Sequence, residues 1–322
     1  MTPILPAALR EGAAKLIERV SSAELARRSA QISESYRGGG GTAHAIRDDA
    51  DIASYLAVRM PATYAAMAAA LGAVHEHAAE FAPETLLDVG SGPGTASWAG
   101  VLLWPGLRDI AMLDRNEALL SVAKRLCAES PHAGLREARS VTGDIAALTG
   151  QFDVVLAGYA IAEVPEASLA TAIDALWNVC AGLLVIVEPG TPQGFARIHA
   201  ARIRLLELGA RIVAPCPGAY ACPIVAPDWC HFSVRLPRSR AHLKAKGASV
   251  PFEDERFSYV AVARDTVPIS LPSARVVSEP HLAKPGVRLR LCTDAKIAER
   301  MIPRRDKPAH KHAAKLKWGD AF

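Results

Sequence analysis

The sequence predicts an α/β protein built on a doubly wound, parallel sheet, and three observations lead to this fold class. The chain has 322 residues, of which 50 % are hydrophobic and 22 % are charged, a balance that suits a folded globular protein with a sizeable core. From residue 84 onward, short apolar runs alternate with helical patterns, which is typical of a parallel sheet covered by helices. A glycine-rich turn directly follows the first apolar run, as in folds that bind a nucleotide-type cofactor.

The region before the sheet, residues 1–80, is predicted to be helical. Residues 7–20 and 55–80 have apolar side chains three and four positions apart, which is the period of a helix. Between them, four glycines at 38–41 predict a hinge, because no Lys-Ser/Thr follows them as a phosphate-binding P-loop requires. The early charges do not fit a secretory signal, and the early glutamates do not fit an acid-poor transit peptide, so we expect a bacterial cytoplasmic protein.

The strands of the predicted sheet are separated by helices. The early strands are predicted at 85–89, 110–113, 152–157 and 183–187, with helices at 96–103 and 193–209. Two late strands, at 257–263 and 287–291, are predicted to complete the same sheet around an insertion rich in proline and cysteine. The predicted organisation is a helical region at 1–80, a Rossmann-like core at 81–211, a Cys-rich insertion at 212–256, the last core strands at 257–293 and a basic tail at 294–322.

The turn after the first strand has the character of a cofactor-binding loop. It contains Asp88, Gly90, Ser91, Gly92 and Gly94. Glycine is needed there because a side chain would keep the backbone from approaching a ligand at the carboxyl end of the strand. The G-x-G-x-G spacing differs from the G-x-G-x-x-G of a dinucleotide-binding turn.

Asp114 ends the second predicted strand, 24 residues after Gly90, where a carboxylate can accept hydrogen bonds from ribose hydroxyls. Together with the glycine turn, it resembles motif I of the class I methyltransferases that use S-adenosylmethionine. The resemblance implies that Asp144 contacts the adenine amino group and that Gly158 and Tyr159 lie over the reaction cleft. The cofactor-binding residues that it implies are Asp88, Gly90, Ser91, Gly92, Gly94, Asp114, Arg115, Asp144, Ile145, Gly158 and Tyr159. Taken singly, each acid is also compatible with a helix cap.

No residue is assigned to methyl transfer itself. Amino-directed methyltransferases often carry Asn/Asp-Pro-Pro-Tyr/Phe after the fourth strand, whereas this chain has Gly158-Tyr-Ala-Ile-Ala-Glu163. Glu163 is either a base or a helix cap. Pro215-Cys216 superficially resembles the element that supplies the cysteine nucleophile for methylation at carbon 5 of pyrimidines, but its neighbouring cysteines favour a different role for Cys216.

The 6 cysteines fall into two groups. Cys127 and Cys180 lie in apolar helical patterns and are predicted to be core residues, whereas the basic half of the chain contains Cys216, Cys222, Cys230 and Cys292. Three of these four lie in a proline-rich segment that cannot form a helix or a central strand, so something other than packing must order it. Because disulfides are disfavoured inside cells, we expect an iron–sulfur cluster or a structural zinc, with unliganded thiols as the alternative.

Charge is divided unevenly along the chain. Residues 1–194 contain 14 Lys/Arg and 22 Asp/Glu, a balance of −8, whereas residues 195–322 contain 23 Lys/Arg and 11 Asp/Glu, a balance of +12. This asymmetry favours a polyanion such as RNA over the second half, or else a solvated basic surface. The candidate RNA contacts are Arg235, Arg238, Arg240, Lys244, Lys246, Arg304, Arg305, Lys311, Lys315 and Lys317. Trp318 either stacks on a base or docks the tail against the core.

The combination of these features resembles a family of methyltransferase-like proteins associated with the mitochondrial small ribosomal subunit, and their bacterial homologues. The features are the methyltransferase core, a Cys-Pro-x4-Cys-Pro-x7-Cys segment, a late strand at 257–263 and a terminal Lys317-Trp-Gly-Asp320, and they cover about residues 30 to 320. The resemblance implies that Cys216, Cys222, Cys230 and Cys292 hold a [4Fe-4S] cluster and that the protein binds small-subunit rRNA. Many relatives have His where this chain has Gly218, so a contact to the cluster is missing here.

Three functions remain open at this point. The first is an S-adenosylmethionine-dependent rRNA methyltransferase that carries an iron–sulfur cluster. The others are a non-catalytic ribosome assembly factor and a small-molecule or protein methyltransferase with structural zinc. No run approaches the roughly 18 apolar residues of a membrane span, so we expect no membrane partner, and we expect a monomer.

Overall fold

The computed structural model describes residues 3–37, 46–294 and 296–322. The hinge predicted at 38–41 lies outside these described residues. Before the sheet, the chain forms helices α1 (Ala7–Ile17), α2 (Ser22–Arg37) and α3 (Asp49–His77). The prediction of a helical N-terminal region therefore agrees with the described parts of residues 1–80.

Helix α3 is the central helix of this region. Asp48 caps its amino end by accepting hydrogen bonds from the backbone N–H groups of Ala50 and Asp51, at 3.0 and 2.9 Å. By length and composition α3 could cross a membrane, but 72 % of its most apolar stretch is buried inside the protein. Met60 and Tyr64 are fully buried. This is the environment of a core helix.

The main sheet follows the helical region. Its strands are β1 (Thr85–Val89), β2 (Asp109–Asp114), β3 (Arg139–Thr142), β4 (Phe152–Gly158), β5 (Cys180–Pro189), β6 (Arg211–Ala214), β7 (Phe232–Pro237) and β8 (Phe252–Ala263). The intervening helices are α4 (Thr95–Leu103), α5 (Glu117–Ala128), α6 (Ala133–Arg136), α7 (Leu169–Asn178) and α8 (Pro192–Glu207). Short 3-10 turns span Ile145–Ala147, Ile161–Glu163 and Glu166–Ser168.

The strand order of the main sheet is β3-β2-β1-β4-β5-β8-β6, with β7 paired to β8 as well. Strands β1 to β5 are parallel, and the order reverses direction at β1 and β4, which creates a crevice at their carboxyl ends. Strand β8 is antiparallel to β5, β6 and β7. The sheet is therefore mixed, and the prediction of a wholly parallel sheet is wrong for its last strands.

A second, smaller sheet follows the main one. It consists of β9 (Arg275–Val276), β10 (His281–Ala283), β11 (Gly286–Cys292) and β12 (Ile297–Pro303), in the order β10-β11-β12 with β9 paired to β11. Val287, Leu289 and Leu291 point into a separate core that helix α10 (Lys307–Ala313) covers.

Two predictions are corrected by this second sheet. Residues 287–291 do not complete the main sheet, because their alternating apolar side chains pack against α10 instead. Residues 294–322 are not a tail, because their described part forms β12, α10 and a final segment in which Ala321 pairs with Arg275. The insertion predicted at 212–256 contributes β7, a short helix α9 (Arg240–Lys246) and the first half of β8.

Arg275 joins three distant parts of the chain. Its side chain is 1 % exposed, and its guanidinium donates hydrogen bonds to the carbonyl oxygens of Pro215 and Gly319, at 2.8 and 3.0 Å, and to Nε2 of His77 at 2.8 Å. Burial, with the adjacent guanidinium, lowers the pKa of His77, so the ring is neutral and its Nδ1–H donates to the carbonyl of Ser270. This contact fixes the end of α3 against the cysteine-rich loop and the carboxyl terminus.

Candidate cofactor cleft and cysteine cavity

A cleft opens at the carboxyl ends of β1, β2 and β4. Of the residues predicted to bind the cofactor, those that line it are Gly90, Gly92, Asp114, Arg115, Asp144, Ile145, Gly158 and Tyr159. Its other lining residues are Tyr55, Leu113, Leu119, Gly143, Ala160, Glu163 and Val164. Asp88, Ser91 and Gly94 belong to the same turn but lie outside the cleft lining.

The glycine turn is shaped by close backbone approaches. Gly90 has φ +65° and packs so tightly that an added Cβ would lie 2.7 Å from the Cβ of Ala160. Gly92 has φ +53°, and a Cβ there would point toward the cleft, 3.6 Å from the Tyr55 hydroxyl. The absence of a side chain at Gly92 therefore keeps the cleft open.

Asp88 supports the turn from behind. Its buried carboxylate accepts hydrogen bonds from the backbone N–H and the hydroxyl of Ser97, at 2.9 and 2.8 Å, and so fixes the first turn of α4. Burial raises the pKa of Asp88 to about 7. The hydroxyls of Ser91 and Thr95 are buried nearby without a hydrogen-bond partner among the described residues.

Two carboxylates line the cleft at the ends of the neighbouring strands β2 and β3. Asp114 accepts hydrogen bonds from the backbone N–H groups of Gly92 and Asn116, at 2.7 and 2.8 Å, and burial raises its pKa. Asp144 forms an ion pair with Arg115 and also caps the short turn at Ile145–Ala147. Asp114 is thus held rigidly at the end of β2, whereas the Asp144–Arg115 pair lies at the more exposed side.

Tyr159 marks the end of β4. It has φ +60°, which is rare for a bulky residue and indicates local backbone strain. Its hydroxyl donates a 2.8 Å hydrogen bond to Glu255, which is also 3.6 Å from Arg59. The Arg59 guanidinium lies 5.2 Å from the centre of the Tyr159 ring. Burial raises the pKa of Tyr159 well above its ordinary value, so it remains a donor at neutral pH.

Sequence reasoning missed several residues around the cleft. Tyr55 comes from α3 and Glu255 from β8, and no local motif connects either residue with the glycine turn. Glu188, at the end of β5, is fully buried and accepts a 3.1 Å hydrogen bond from the N–H of Ala162. Burial raises the pKa of Glu188 to about 8. In the sequence, the signal for Glu188 was its position directly after the apolar run at 183–187, where the predicted strand ends.

The four cysteines of the basic half line a second, small cavity beside Tyr259 and Val260 of β8. They are Cys216, Cys222, Cys230 and Cys292, and none forms a disulfide. The first three come from the loop between β6 and β7, and the fourth ends β11. Cys127 and Cys180 are instead buried in the core, which confirms their predicted place.

The thiols in this cavity lie close enough to influence one another. Burial raises the pKa of Cys230 well above its ordinary value, and the other three thiols add to this rise. Burial also raises the pKa of Cys292 to about 12 and raises that of Cys216. Across residues 3–37, 46–294 and 296–322, no three His, Cys, Asp or Glu side chains are arranged to hold a single metal ion.

A buried cation lines the same cavity. Arg202, on α8, is 6 % exposed, and its Nη2 donates hydrogen bonds to the carbonyl oxygens of Gly218 and Tyr220, at 3.2 and 2.5 Å. Its Nε–H has no acceptor in the part of the chain that the structure describes. The cavity thus combines four thiols with one incompletely bonded guanidinium.

The predicted RNA contacts fall into two sets. In the first, Arg235 makes a two-bond pair with Asp254, at 2.7 and 2.8 Å, while Arg238 and Lys246 both contact Glu253. These three charges are largely compensated within the protein, whereas Arg240 and Lys244 are exposed on α9.

The second set lies on the second sheet and its flanking segments, and we name it the C-terminal basic surface. It consists of Arg304, Arg305, Lys311, Lys315 and Lys317, which are exposed and form no ion pair within the described residues.

Trp318 docks against the core. It lies edge-on to His231, with ring centres 4.8 Å apart, and His231 stacks on Trp229 at 5.1 Å. Trp229 in turn donates a 3.0 Å hydrogen bond to the carbonyl of Gly190. Of the two predicted roles for Trp318, this arrangement supports docking.

The fold, with its cleft at the strand switch, defines a class I methyltransferase-like α/β protein. Solved methyltransferases give weak overall matches: magnesium protoporphyrin IX methyltransferase of Synechocystis PCC 6803 has 16 % identity and a TM-score of 0.41, with 63 % of this chain and 79 % of that chain covered. The chain itself belongs to the family described as mitochondrial small ribosomal subunit Rsm22, which matches residues 49–322. This confirms the predicted family.

Curated relatives agree with this membership. The human mitochondrial ribosome assembly protein METTL17 is 28 % identical over 295 residues, which cover 83 % of this chain and 61 % of that protein. The mitochondrial Rsm22-cox11 tandem protein 2 of Schizosaccharomyces pombe is 25 % identical, with 85 % of this chain and 43 % of that protein covered. The chain thus spans only part of each relative.

Proposed function

We propose that this protein is a small-subunit ribosome assembly protein that binds S-adenosylmethionine in the cleft, holds a [4Fe-4S] cluster on its four cavity cysteines and binds rRNA through its basic second half. The observation that carries the proposal is the convergence of four cysteines, up to 76 residues apart in sequence, on one cavity of an Rsm22-family chain. The name of the human relative, a ribosome assembly protein, supports the ribosomal role.

The cleft fits the proposed cofactor in its chemistry. Asp114 offers a fixed carboxylate for ribose hydroxyls, and Gly92 leaves the space beside it empty of side chain. Asp144 and Ile145 are available for the adenine end. When bound, S-adenosylmethionine supplies an electrophilic methyl group, whereas the protein's residues bind and orient it.

The cysteine cavity fits a cluster better than a single zinc ion. Four thiolates around zinc, at about 2.3 Å each, stand within about 4 Å of one another, yet no three donors among the described residues have an arrangement of this kind. A [4Fe-4S] cluster is larger and takes its four thiolate ligands from corners that lie farther apart. An anionic cluster in the same cavity would also compensate the buried charge of Arg202, whose Nε–H has no acceptor among the described residues. Ligation would deprotonate thiols that burial otherwise keeps neutral.

The RNA-binding part of the proposal rests on charge. Residues 281–317 contain 11 Lys/Arg and 3 Asp/Glu, and the C-terminal basic surface lies in this stretch. Phosphate groups would release counterions on binding there. The bacterial cytoplasm as the place of action, and a monomeric state, stay predictions.

A non-catalytic assembly role is the second candidate. Glu163 lines the cleft and is a candidate base, but the hydroxyl of Tyr159, which also lines the cleft, is already bonded to Glu255. The absence of the Asn/Asp-Pro-Pro-Tyr/Phe motif from the sequence also favours this role. Labelled-methyl transfer to small-subunit rRNA separates the two candidates.

The test of the cluster is Cys222→Ser, purified without oxygen beside Cys127→Ser. We expect the cavity variant to lose most of its iron and acid-labile sulfide and to bind small-subunit rRNA more weakly. The core variant makes the same chemical change outside the cavity and should retain its iron. Unchanged iron in Cys222→Ser, with circular dichroism showing both proteins folded, would contradict the ligand assignment. Zinc in place of iron in the wild type would favour the alternative metal.

A further inference from the structure

We propose that Arg202 is a positioning residue that compensates the negative charge of the thiolate-bound cluster and raises its reduction potential. The inference rests on the proposed function, because it requires the cluster in the cysteine cavity. It concerns a side chain of α8, outside the Cys-rich segment, to which the sequence assigns no role.

The surroundings of Arg202 differ from those of the next arginine on the same helix. Arg204 points outward and pairs with Asp174 and Glu207. Arg202 points into the cysteine cavity, whose lining residues include no aspartate or glutamate. Its Nη2 donates to two carbonyl oxygens, the guanidinium also hydrogen-bonds the Cys216 thiol, and its Nε–H has no acceptor within the described part of the chain. A buried guanidinium in this state requires an anion.

The thiols are the groups that can provide that anion. Arg202 lines the cavity together with Cys216 and Cys292, and these thiols become anionic when they bind the cluster. Arg275 is also buried, but its guanidinium is already bonded to Pro215, Gly319 and His77. Of these two buried arginines, Arg202 is therefore the one with an N–H group, Nε–H, left to bond a ligand in the cavity.

The bonds of Arg202 also shape the loop that carries the ligands. Gly218 and Tyr220, whose carbonyls it holds, lie between Cys216 and Cys222. Arg202 thus links charge compensation to the spacing of the first two thiolates. One-electron reduction makes an already anionic cluster more negative, so a nearby fixed cation stabilises the reduced form more than the oxidised form.

The experiment is a dithionite titration of the full chain, purified without oxygen and followed by electron paramagnetic resonance. We expect Arg202→Gln to shift the midpoint potential to lower values relative to wild type. Arg204→Gln removes the same charge from the same helix, outside the cavity, and should leave the potential unchanged. Arg202→Lys keeps the charge without the planar guanidinium and should shift the potential less than Arg202→Gln does.

Each result supports or overturns the inference. Loss of the cluster from Arg202→Gln, with the cluster retained in Arg202→Lys, would support charge compensation. Loss from both variants would show that Arg202 acts only through its hydrogen bonds to the loop and would overturn it. Equal potentials in Arg202→Gln and Arg204→Gln, with a normal cluster in wild type, would overturn the inference alone. A wild-type protein without iron and sulfide would contradict the proposed function as well.

Discussion

The cofactor cleft and the cysteine cavity lie on the same main sheet but are held together in different ways. The cleft is formed by consecutive strand ends, and its key carboxylate, Asp114, is fixed by backbone N–H groups of the protein itself. The cavity takes three cysteines from one irregular loop and the fourth from another sheet. Its lining contains thiols that burial keeps protonated. It also contains the Arg202 guanidinium but no aspartate or glutamate to pair with it. The cleft is thus held by contacts within the protein, whereas under the proposed function the cavity depends on its cluster.

Removal of the proposed metal should have the largest effect, and it should affect the cavity much more than the cleft. Under the proposed function, ligation orders the loop at 215–231, so incubation with an iron chelator under reducing conditions should release this loop and loosen the end of β11. The cleft should keep its structure. Hydrogen exchange measured by mass spectrometry should show a large loss of protection in the loop and little change in β1 and α4. Equal loss in both regions would contradict the separation.

Asp88, which supports the glycine turn, should make the free energy of unfolding depend on pH. The folded state holds a proton on Asp88, whose pKa burial raises to about 7, above the unfolded value of about 3.9. The stabilisation from this proton is full at low pH and is lost as the pH rises toward and through about 7. Asparagine cannot ionise. Over this pH range the free energy of unfolding of Asp88→Asn should therefore fall by about 2–4 kcal/mol less than that of the wild type.

Urea unfolding at a series of pH values, followed by fluorescence, measures this difference. Parallel pH profiles for Asp88→Asn and wild type would show that the buried carboxyl does not carry the effect. Asparagine can still accept the hydrogen bonds from Ser97, so the comparison changes the charge and leaves the turn intact.

A substitution in the glycine turn should damage the cleft without affecting the cavity. Gly90→Ala places a Cβ 2.7 Å from Ala160 at φ +65°, which should lower stability by about 1–3 kcal/mol and weaken S-adenosylmethionine binding more than tenfold. Gly209→Ala is the matched control, because φ is +80° there and nothing lies within 4 Å of an added Cβ. Titration calorimetry and iron analysis test both. Normal cofactor binding by Gly90→Ala would argue against a cofactor at this turn.

The smallest expected effects come from single surface charges. Lys315→Gln, on the C-terminal basic surface, should make the slope of log K for rRNA binding against log salt concentration shallower, by the amount expected for about one phosphate contact. Arg235→Gln should have less effect because Asp254 already compensates Arg235. Filter binding at several salt concentrations distinguishes them. A larger effect from Arg235→Gln would place the RNA on the other side of the molecule.

Sequence reasoning anticipated the parts of the fold that local pattern controls. The runs at 85–89 and 152–157 are mostly apolar, and the structure has β1 and β4 there. It did not anticipate the second sheet, because the alternation of Val287, Leu289 and Leu291 gives the buried face of a strand but not its partner. The edge strand β6 was missed because its apolar run is only three residues long.

The candidate sites show the same limit. The turn at Gly90 and the end of β2 at Asp114 are close in sequence to the strands that position them, so a motif could identify both. Tyr55 reaches the cleft from α3, and Glu255 on β8 bonds Tyr159 at its edge. Arg202 reaches the cavity from a helix with an ordinary amphipathic pattern. Only tertiary packing brings these side chains to the sites.

The contacts of Arg275 set an order for the completion of the molecule during synthesis. His77 lies 198 residues before its guanidinium partner, and the same guanidinium holds the carbonyl of Gly319. The helix that leaves the ribosome early therefore receives its final anchoring from residues that leave it among the last. Until Arg275 has been synthesised, His77 at the carboxyl end of α3 lacks its buried partner.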